Sequence, residues 1–493
     1  MSAYRSDVAS DKVTYDPNNE ASPYDETQEL KGEDEQIIAP AGTTDLNDVQ
    51  LYGYNPFEAQ KEVKDHDFVD FKTMGWFVAG LVSIAESMGT GLLNFPNTFY
   101  QLGMVGGIIT TAGAALLTYF AGWIMIDFRN RHPGVVSYPD SGAVMFGKWG
   151  RIIFGGGLVV KTMAVAGSHA LLVQSALNYL SSHAICGVWW AFLCGVVSVL
   201  MSLNREWKKT HWLSAVSIIC LFSSSLIVLG GVATQPDSVL VKNGVPIQWR
   251  ATPAKPTLIS MITAVSNVVF ALGGNSAAFS FAAEMKNPND FKKSFAFVQF
   301  AGFIMYITIG AGIYVAGGQY VTSPAFSMTQ RPVQIAAWSV ALVTLMISGI
   351  LVVNVAAKYL YVNSLRSSPL LTSKGLRARL IWVGFVSAIW IAGFVVCQLI
   401  PFFSPLTTII GSVFTTWFSI GFCGVMWFYN QHPYFAAPGE VRRIDTPFKV
   451  FLFGTAILCI LFGLVITPLG IYTAAISIRN GYRTSSYKHP FSC

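Results

Sequence analysis

The stretch Ile84-Ala-Glu-Ser-Met-Gly-Thr-Gly-Leu-Leu-Asn-Phe-Pro-Asn-Thr-Phe-Tyr100 places Glu86 and the glycines Gly89 and Gly91 in the middle of an apolar segment. That segment is long enough to cross a bilayer, which takes about 20 residues. Backbone in hydrocarbon must satisfy its own hydrogen bonds, so unwinding at mid-depth is tolerated only where it is buried in protein or lines a polar cavity. The stretch therefore predicts a broken helix beside a binding site.

The composition indicates a membrane protein. The chain has 493 residues, of which 53% are hydrophobic and only 12% are charged, whereas a soluble domain has about 25% charged residues. The sequence contains no phosphate-binding loop, GxSxG, HExxH or CxxC motif, so ATP-driven transport and the common intramembrane hydrolases lack their minimal chemistry. We predict an all-α polytopic membrane protein that is not an enzyme, with no catalytic residues, cofactor, metal site or nucleic-acid partner.

Residues 1–72 differ from the rest of the chain, because they hold 17 of the 26 acidic residues and only 6 of the 32 lysines and arginines. An acidic segment with few aliphatic residues cannot bury enough apolar area to order itself. We therefore expect a disordered cytosolic tail over residues 1–70, a transporter domain over 71–477 and a short C-terminal tail over 478–493. Four tail lysines are candidate acceptors for a ubiquitin ligase that would control turnover: Lys12, Lys31, Lys61 and Lys64.

Apolar stretches separated by polar or Gly/Pro clusters predict eleven membrane spans, numbered here in chain order: residues 71–99, 102–127, 152–180, 185–203, 211–232, 256–283, 292–317, 332–356, 378–400, 403–430 and 446–477. Eighteen lysines and arginines fall at one set of loops and four at the other. Because cytoplasmic loops are enriched in these residues, the N-terminus is expected in the cytosol. The plasma membrane is favoured over the vacuolar membrane.

Span 6 contains a second interruption, Gly273-Gly-Asn275, at its centre. Glycine is about 1 kcal/mol poorer than alanine in a helix, so this triplet favours local unwinding. The breaks in spans 1 and 6 are five spans apart, at corresponding positions of two inverted halves, which is the pattern of a transport site. The alternative is that small residues at these positions only let helices pack closely.

Several motifs together resemble the amino acid/auxin permease family, and in particular its fungal neutral amino acid permeases. They are Ile84-Ala-Glu-Ser through Pro96, Phe128-Arg-Asn-Arg-His-Pro133 with Asp140-Ser-Gly-Ala, Phe270-Ala to Glu284-Met-Lys-Asn-Pro288, and Lys358-Tyr-Leu-Tyr-Val-Asn. The resemblance implies eleven helices in the leucine-transporter fold, a 5+5 inverted repeat with helices 1 and 6 unwound, and amino acid uptake coupled to protons. Leu272-Gly-Gly-Asn275 departs from the aromatic-Ala-Gly-His-like segment common in the family.

Charged residues inside spans are costly and are therefore functional candidates. Glu86 in span 1 and Lys161 in span 3 both fall near mid-depth, and His169 lies two turns beyond Lys161 on the same face. One interpretation is a relay in which these residues carry the coupling proton; the alternatives are a structural ion pair or no contact, and for His169 a simple hydrogen bond. Glu284 falls at a cytosolic span end beside Lys286, where interfacial pairing is expected.

We predict an importer of neutral amino acids, including aromatic and bulky aliphatic ones, driven by protons rather than sodium. Backbone amides at Ser87 to Gly91 would bind the carboxylate, and freed carbonyls around Phe270 to Asn275 would bind the ammonium. The candidate substrate residues are Ser87, Gly89, Thr90, Gly91, Phe270, Gly273, Gly274 and Asn275, and the proton-coupling candidates are Glu86, Lys161 and His169. The alternative is a membrane amino acid receptor of the same fold that binds without transporting.

Overall fold

The computed structural model describes residues 29–32, 35–38, 74–203, 211–241, 244–254, 256–365, 370, 375–431, 446–483 and 491. Within this part of the chain the membrane domain consists of α-helices with short 3₁₀ and π-helical segments. The α-helices are Trp76–Ser87, Phe95–Arg131, Tyr138–Leu180, Gly187–Met201, His211–Thr234, Leu258–Leu272, Ala278–Ala283, Phe291–Gly317, Arg331–Leu365, Leu376–Leu399, Phe403–Ile409, Phe422–Gln431 and Pro447–Arg483.

These helices account for the eleven predicted spans. In the described residues, nine helical segments are long and apolar enough to cross a membrane, and two shorter apolar helices, Trp76–Ser87 and Gly187–Met201, fall in spans 1 and 4. The helix Phe95–Arg131 contains the end of span 1 and all of span 2, joined at Gly103, where φ is +75°. Only glycine adopts this conformation readily. The multi-pass prediction is confirmed.

Both predicted breaks are present. Span 1 stops at Ser87 and resumes through a 3₁₀ turn over Gly91–Asn94, while span 6 stops at Leu272 and resumes through Gly274–Ala277. The first half of each span packs against the second half of the other, as antiparallel helices do. This approach needs glycine, because a Cβ on Gly91 would lie 2.5 Å from the Cβ of Ala271.

At one end of this pair of spans, the start of span 1 is hydrogen-bonded to the chain that follows span 6. The Met74 amide donates to the Glu284 carbonyl at 3.0 Å, and the Lys286 amide donates to the Met74 carbonyl at 2.9 Å. The Glu284 carboxylate forms a buried ion pair with Lys358 of span 8. The expected partner, Lys286, is therefore replaced by a lysine from another span, which sequence proximity does not reveal.

At the other end of the two spans, a loop segment packs across the junction of spans 1 and 2. The Met104 and Val105 amides each donate at 3.0 Å, to the carbonyls of Arg250 and Ala251. These bonds satisfy amide groups at the start of a helix, which have no partner within the helix itself. Both ends of the broken pair of spans are thus fixed by main-chain hydrogen bonds.

The predicted acidic tail lies mostly outside the described residues. Within it the structure describes two antiparallel strands, β1 (Glu29–Gly32) and β2 (Glu35–Ile38), although an isolated two-stranded hairpin is only marginally stable in water. Of the candidate ubiquitin acceptors, Lys31 lies in β1, and the other three lie outside the described residues.

We expect Glu284→Gln to lower the melting temperature of the purified protein, because it leaves the buried Lys358 ammonium without its carboxylate, which costs about 3–5 kcal/mol. The double variant Glu284→Gln with Lys358→Met should recover most of the loss. The control is Lys293→Gln, which breaks a 2.7 Å pair with Asp290 whose lysine side chain is 67% exposed and should change little. Equal melting temperatures for wild type and the Glu284 variant would show that the pair does not stabilise the fold.

Candidate functional site

The two serine side chains that precede the break in span 1 donate hydrogen bonds to carbonyls of their own helix. The Ser87 hydroxyl donates to the Ser83 carbonyl at 2.7 Å, and the Ser83 hydroxyl donates to the Ala79 carbonyl at 2.8 Å. Beyond Ser87 the chain turns through residues 88–90 before the helix resumes. Pro96 then lies in the first turn of Phe95–Arg131, where its missing N–H would have no helical partner in any case.

The break in span 6 is held open by side chains from spans 7 and 10. Its carbonyls at Ala271, Leu272 and Gly273 accept hydrogen bonds, and the donors are the Tyr306 hydroxyl at 2.8 Å, the Gln299 amide at 3.3 Å and the Ser419 hydroxyl at 2.6 Å. Buried carbonyls otherwise carry a desolvation penalty of about 1–3 kcal/mol each. The unwound segment is therefore stable because neighbouring spans replace its helical hydrogen bonds.

Span 10, which packs against the break in span 6, also has irregular backbone. It includes π-helical segments over Ile410–Thr415 and Trp417–Gly421, a geometry that occurs frequently at functional sites. The Ser419 carbonyl in the second segment accepts from the Asn275 side chain at 3.1 Å, and the same Asn275 nitrogen is 2.9 Å from the Thr118 carbonyl of span 2. Asn275 is thus turned toward spans 2 and 10.

A cavity lies where the two breaks meet spans 3, 8 and 10. Eight of the residues predicted for substrate or proton binding line it: Glu86, Ser87, Thr90, Lys161, His169, Phe270, Gly273 and Gly274. The remaining three predicted residues are buried at helix contacts and are not among its lining residues: Gly89, Gly91 and Asn275. A Cβ on Gly89 would overlap the Ser348 hydroxyl, and one on Gly91 would press on Ala271, so both glycines permit close helix packing.

Sequence reasoning missed the rest of the cavity wall: Leu158, Thr162, Val165, Ser276, Val352, Val355 and Thr415. It also missed the side chains that bond the span 6 break. Gln299 and Tyr306 are seven residues apart, which places both on one face of the span 7 helix, and this spacing of two polar residues in an apolar span was the available signal. The hydroxyls gave no signal, because serines and threonines are common throughout the spans.

Two opposite charges face the cavity. Glu86 and Lys161 are both buried, with 8% of each residue exposed. Among the described residues, Lys161 Nζ donates to the Ser276 hydroxyl and makes no ion pair within 4.0 Å. Glu86 Oε2 is buried and has no hydrogen-bond partner in the part of the chain that the structure describes. The predicted meeting of these residues thus takes the form of two separate charges on one wall.

His169 joins span 3 to span 8. Its Nδ1–H donates to the Val165 carbonyl at 2.9 Å, an acceptor-only partner that leaves Nε2 with a lone pair in the neutral ring. That nitrogen lies 3.1 Å from the Ser348 hydroxyl, which is also 3.4 Å from the Glu86 carbonyl. Because a hydroxyl has one proton, Ser348 donates either to His169 Nε2 or to the Glu86 carbonyl, and it lies between span 3 and the backbone of the span 1 break.

Phe270 and Phe279 flank the span 6 break in the sequence, but they differ in position. Phe270 lines the cavity, whereas Phe279 is fully buried and packs on Tyr138 with ring centroids 5.6 Å apart. Together with the leucine and valines of the wall, Phe270 makes one side of the cavity apolar. The arrangement can bind a molecule that carries charged groups at one end and an apolar group at the other.

Comparisons with known proteins place this geometry among transporters. Residues 72–469 match the family described as transmembrane amino acid transporter protein. The N amino acid transport system protein of Neurospora crassa is 26% identical over 476 residues, 95% of this chain and 99% of the relative. A transmembrane transporter of Gibberella moniliformis is also 26% identical, over 87% of this chain and 89% of its own length.

A solved structure shows the fold. MhsT in complex with L-phenylalanine aligns with a TM-score of 0.56 at 13% sequence identity, and the alignment covers 81% of this chain and 99% of that structure. MhsT has the leucine-transporter fold. The predicted fold class, with its inverted repeat and its broken first and sixth helices, is confirmed.

We expect Gly274→Ala to weaken ligand binding at least tenfold, because the new Cβ would lie 2.7 Å from Ser87 Cβ and 3.5 Å from Glu86 Oε2. The added methyl group would push the two breaks apart at the cavity wall. The matched control is Gly156→Ala in span 3, where a Cβ meets nothing within 4 Å. Equilibrium binding of labelled amino acids to both purified variants checks this, and equal affinities would contradict it.

Proposed function

Since the chain belongs to the transmembrane amino acid transporter family, we propose that it is a secondary active transporter that imports neutral amino acids together with protons. The observation that supports this most strongly is the cavity between two broken helices, with Glu86 and Lys161 in its wall. Broken helices at mid-depth are the usual binding device of secondary transporters. A receptor that binds without transport is the competing proposal.

Backbone groups at the breaks suit the two ends of an amino acid. Within the predicted stretch from Ser87 to Gly91, Ser87 is the last helical residue and the Met88 amide donates to the Ile84 carbonyl at 3.0 Å. The amides proposed for the carboxylate are therefore those from Gly89 to Gly91, which precede the resumed helix of span 1, whose positive dipole end favours a carboxylate. Of the three bonded carbonyls in the span 6 break, that of Gly273 belongs to a residue that lines the cavity. It accepts one hydrogen bond from Ser419, and a carbonyl oxygen has a second lone pair for an ammonium. Glycines at Gly89 and Gly91 support this site by letting the breaks pack closely.

The apolar side of the cavity supports neutral substrates with aliphatic or aromatic side chains. Its wall combines one aromatic ring with aliphatic residues: Leu158, Val165, Phe270, Val352 and Val355. Such a surface gains about 25 cal/mol per Å² of apolar area that it covers, whereas a charged side chain would lose its hydration there. MhsT was solved in complex with L-phenylalanine, which belongs to this class, and the relative in Neurospora crassa is named as an amino acid transport system protein.

Glu86 is our candidate for the residue that carries the coupling proton. The other titratable groups on the cavity wall are Lys161 and His169, which both belong to span 3. Protonation of Glu86 changes the charge of the Glu86 and Lys161 pair from zero to +1, and a more positive site attracts a substrate carboxylate more strongly. Proton and substrate then favour each other's binding, which symport requires.

The proposed import also needs an orientation in the membrane and a proton gradient directed into the cell. The excess of lysines and arginines at one set of loops supports a cytosolic N-terminus, and we propose a plasma-membrane location. Turnover controlled by a ubiquitin ligase through the acidic tail belongs to the same proposal.

The test uses purified full-length protein in proteoliposomes. A gradient that is acidic outside should drive accumulation of a labelled apolar amino acid above its equilibrium level, and a proton ionophore should abolish it. Binding is measured on the same sample. Binding without flux would favour a receptor, and accumulation driven only by a sodium gradient would refute proton coupling.

Glu86→Gln should leave exchange of internal for external amino acid intact while eliminating accumulation driven by pH, because glutamine mimics the protonated side chain permanently. The control is Asp127→Asn, which removes a carboxylate that is 47% exposed and 3.8 Å from Arg131. We expect that control to accumulate substrate like the wild type. An unchanged pH dependence in Glu86→Gln would move the proton site to another residue.

A further inference from the structure

Lys161 is a buried cation with unused hydrogen-bonding capacity. Its ammonium has three N–H donors, and one of them binds the Ser276 hydroxyl in the span 6 break. Among the described residues no Asp or Glu oxygen lies within 4.0 Å of Nζ. Glu86 lies on the same wall but makes no ion pair with Lys161 within 4.0 Å, and burying an ion without such a contact costs several kcal/mol. A ligand that brings a negative charge to this point would therefore be bound strongly.

We propose that Lys161 binds the carboxylate of the transported molecule and so restricts transport to substrates that carry one. This inference rests on the proposed function and adds to it the residue that recognises the carboxylate. The backbone amides of span 1 then share the carboxylate with a full positive charge from span 3. An ammonium–carboxylate hydrogen bond is about twice as strong as one between neutral groups.

The position of Lys161 supports a role at the substrate rather than in the scaffold alone. It lines the cavity together with Ser87 and Thr90 of the first break and Ser276 of the second. A carboxylate placed between these groups would contact both broken helices and span 3 at once. Occupation of the site would therefore connect the two broken helices and span 3, as a substrate-induced closure requires.

Glu86 on the same wall favours a zwitterion over a simple anion. A bare anion at Lys161 would lie near the carboxylate of Glu86 and be repelled by it, whereas an amino acid brings its own ammonium. Acetate and an amino acid share the carboxylate chemistry, so they are the two probes that distinguish an anion site from an amino acid site.

The experiment measures binding to purified full-length protein in nanodiscs. The ligands are L-phenylalanine, L-phenylalaninamide, which keeps the ammonium and the ring but lacks the carboxylate, and acetate as a competitor. Wild type should bind the acid at least tenfold more tightly than the amide, and acetate should not displace the acid at equal concentration. Lys161→Gln should weaken binding of the acid at least tenfold and bring the affinity ratio of acid to amide close to one.

Lys148→Gln is the matched control, because it removes an exposed lysine from the same helix and should keep the wild-type ratio. Ser276→Ala keeps the Lys161 charge but removes its hydrogen bond and one hydroxyl of the cavity wall, so it should lower the acid-to-amide ratio by less than Lys161→Gln does. If Lys161→Gln does not fold, the double variant Glu86→Gln with Lys161→Gln leaves neither charge unpaired and should show the same loss of preference.

Three results would overturn the inference: a ratio near one in the wild type, a preserved ratio in either folded Lys161 variant, or efficient displacement by acetate. The proposed function fails separately, if the wild type neither binds nor transports any amino acid. A wild type that transports amino acids while Lys161→Gln keeps the wild-type ratio would refute the inference alone.

Discussion

The unwound backbone of span 6 is the constraint on which the rest of the site depends. A helix that stops at Leu272 leaves carbonyl groups without helical partners, in surroundings where water cannot replace them. Tyr306, Gln299 and Ser419 supply the missing donors. Without these three side chains, the break would close into regular helix or remain as unsatisfied buried backbone.

The same hydrogen bonds connect the site to its neighbouring spans. They attach the break to spans 7 and 10, so a displacement of either span would also shift the backbone around the cavity. The first break is joined to other elements through Ser348, which lies between His169 and the Glu86 carbonyl. A ligand that bridges the two breaks therefore acts on several spans through a small number of contacts.

The sequence was most informative where a residue type has one known effect on the backbone or a known cost of burial. Glycine pairs in apolar spans predicted both breaks, and the apolar stretches predicted most span ends within a few residues of the observed helices. The largest exceptions are the helix of span 3, which begins at Tyr138 and not at residue 152, and that of span 8, which ends at Leu365 and not at residue 356. Charged residues at mid-depth predicted that Glu86, Lys161 and His169 would share one region, and all three line the cavity. These patterns depend on local backbone and on burial costs, which a sequence shows directly.

The sequence does not predict which side chains pair between distant elements. Asn275 belongs to the predicted break through its backbone, and the sequence does not reveal that its side chain bonds the backbones of spans 2 and 10. Glu284 was expected to pair with its neighbour Lys286, but it pairs with Lys358, 74 residues away. Which hydroxyls face the cavity also depends on helix rotation, and the uniformly apolar spans do not specify that rotation.

A cryo-electron microscopy structure of the full-length protein with an apolar amino acid bound would show directly whether the substrate lies between the two breaks. We expect density between the two breaks, with the carboxylate within hydrogen-bonding distance of Lys161 Nζ and the side chain against Phe270 and Val352. Density at another location, or a carboxylate directed away from Lys161 and the span 1 amides, would contradict this expectation.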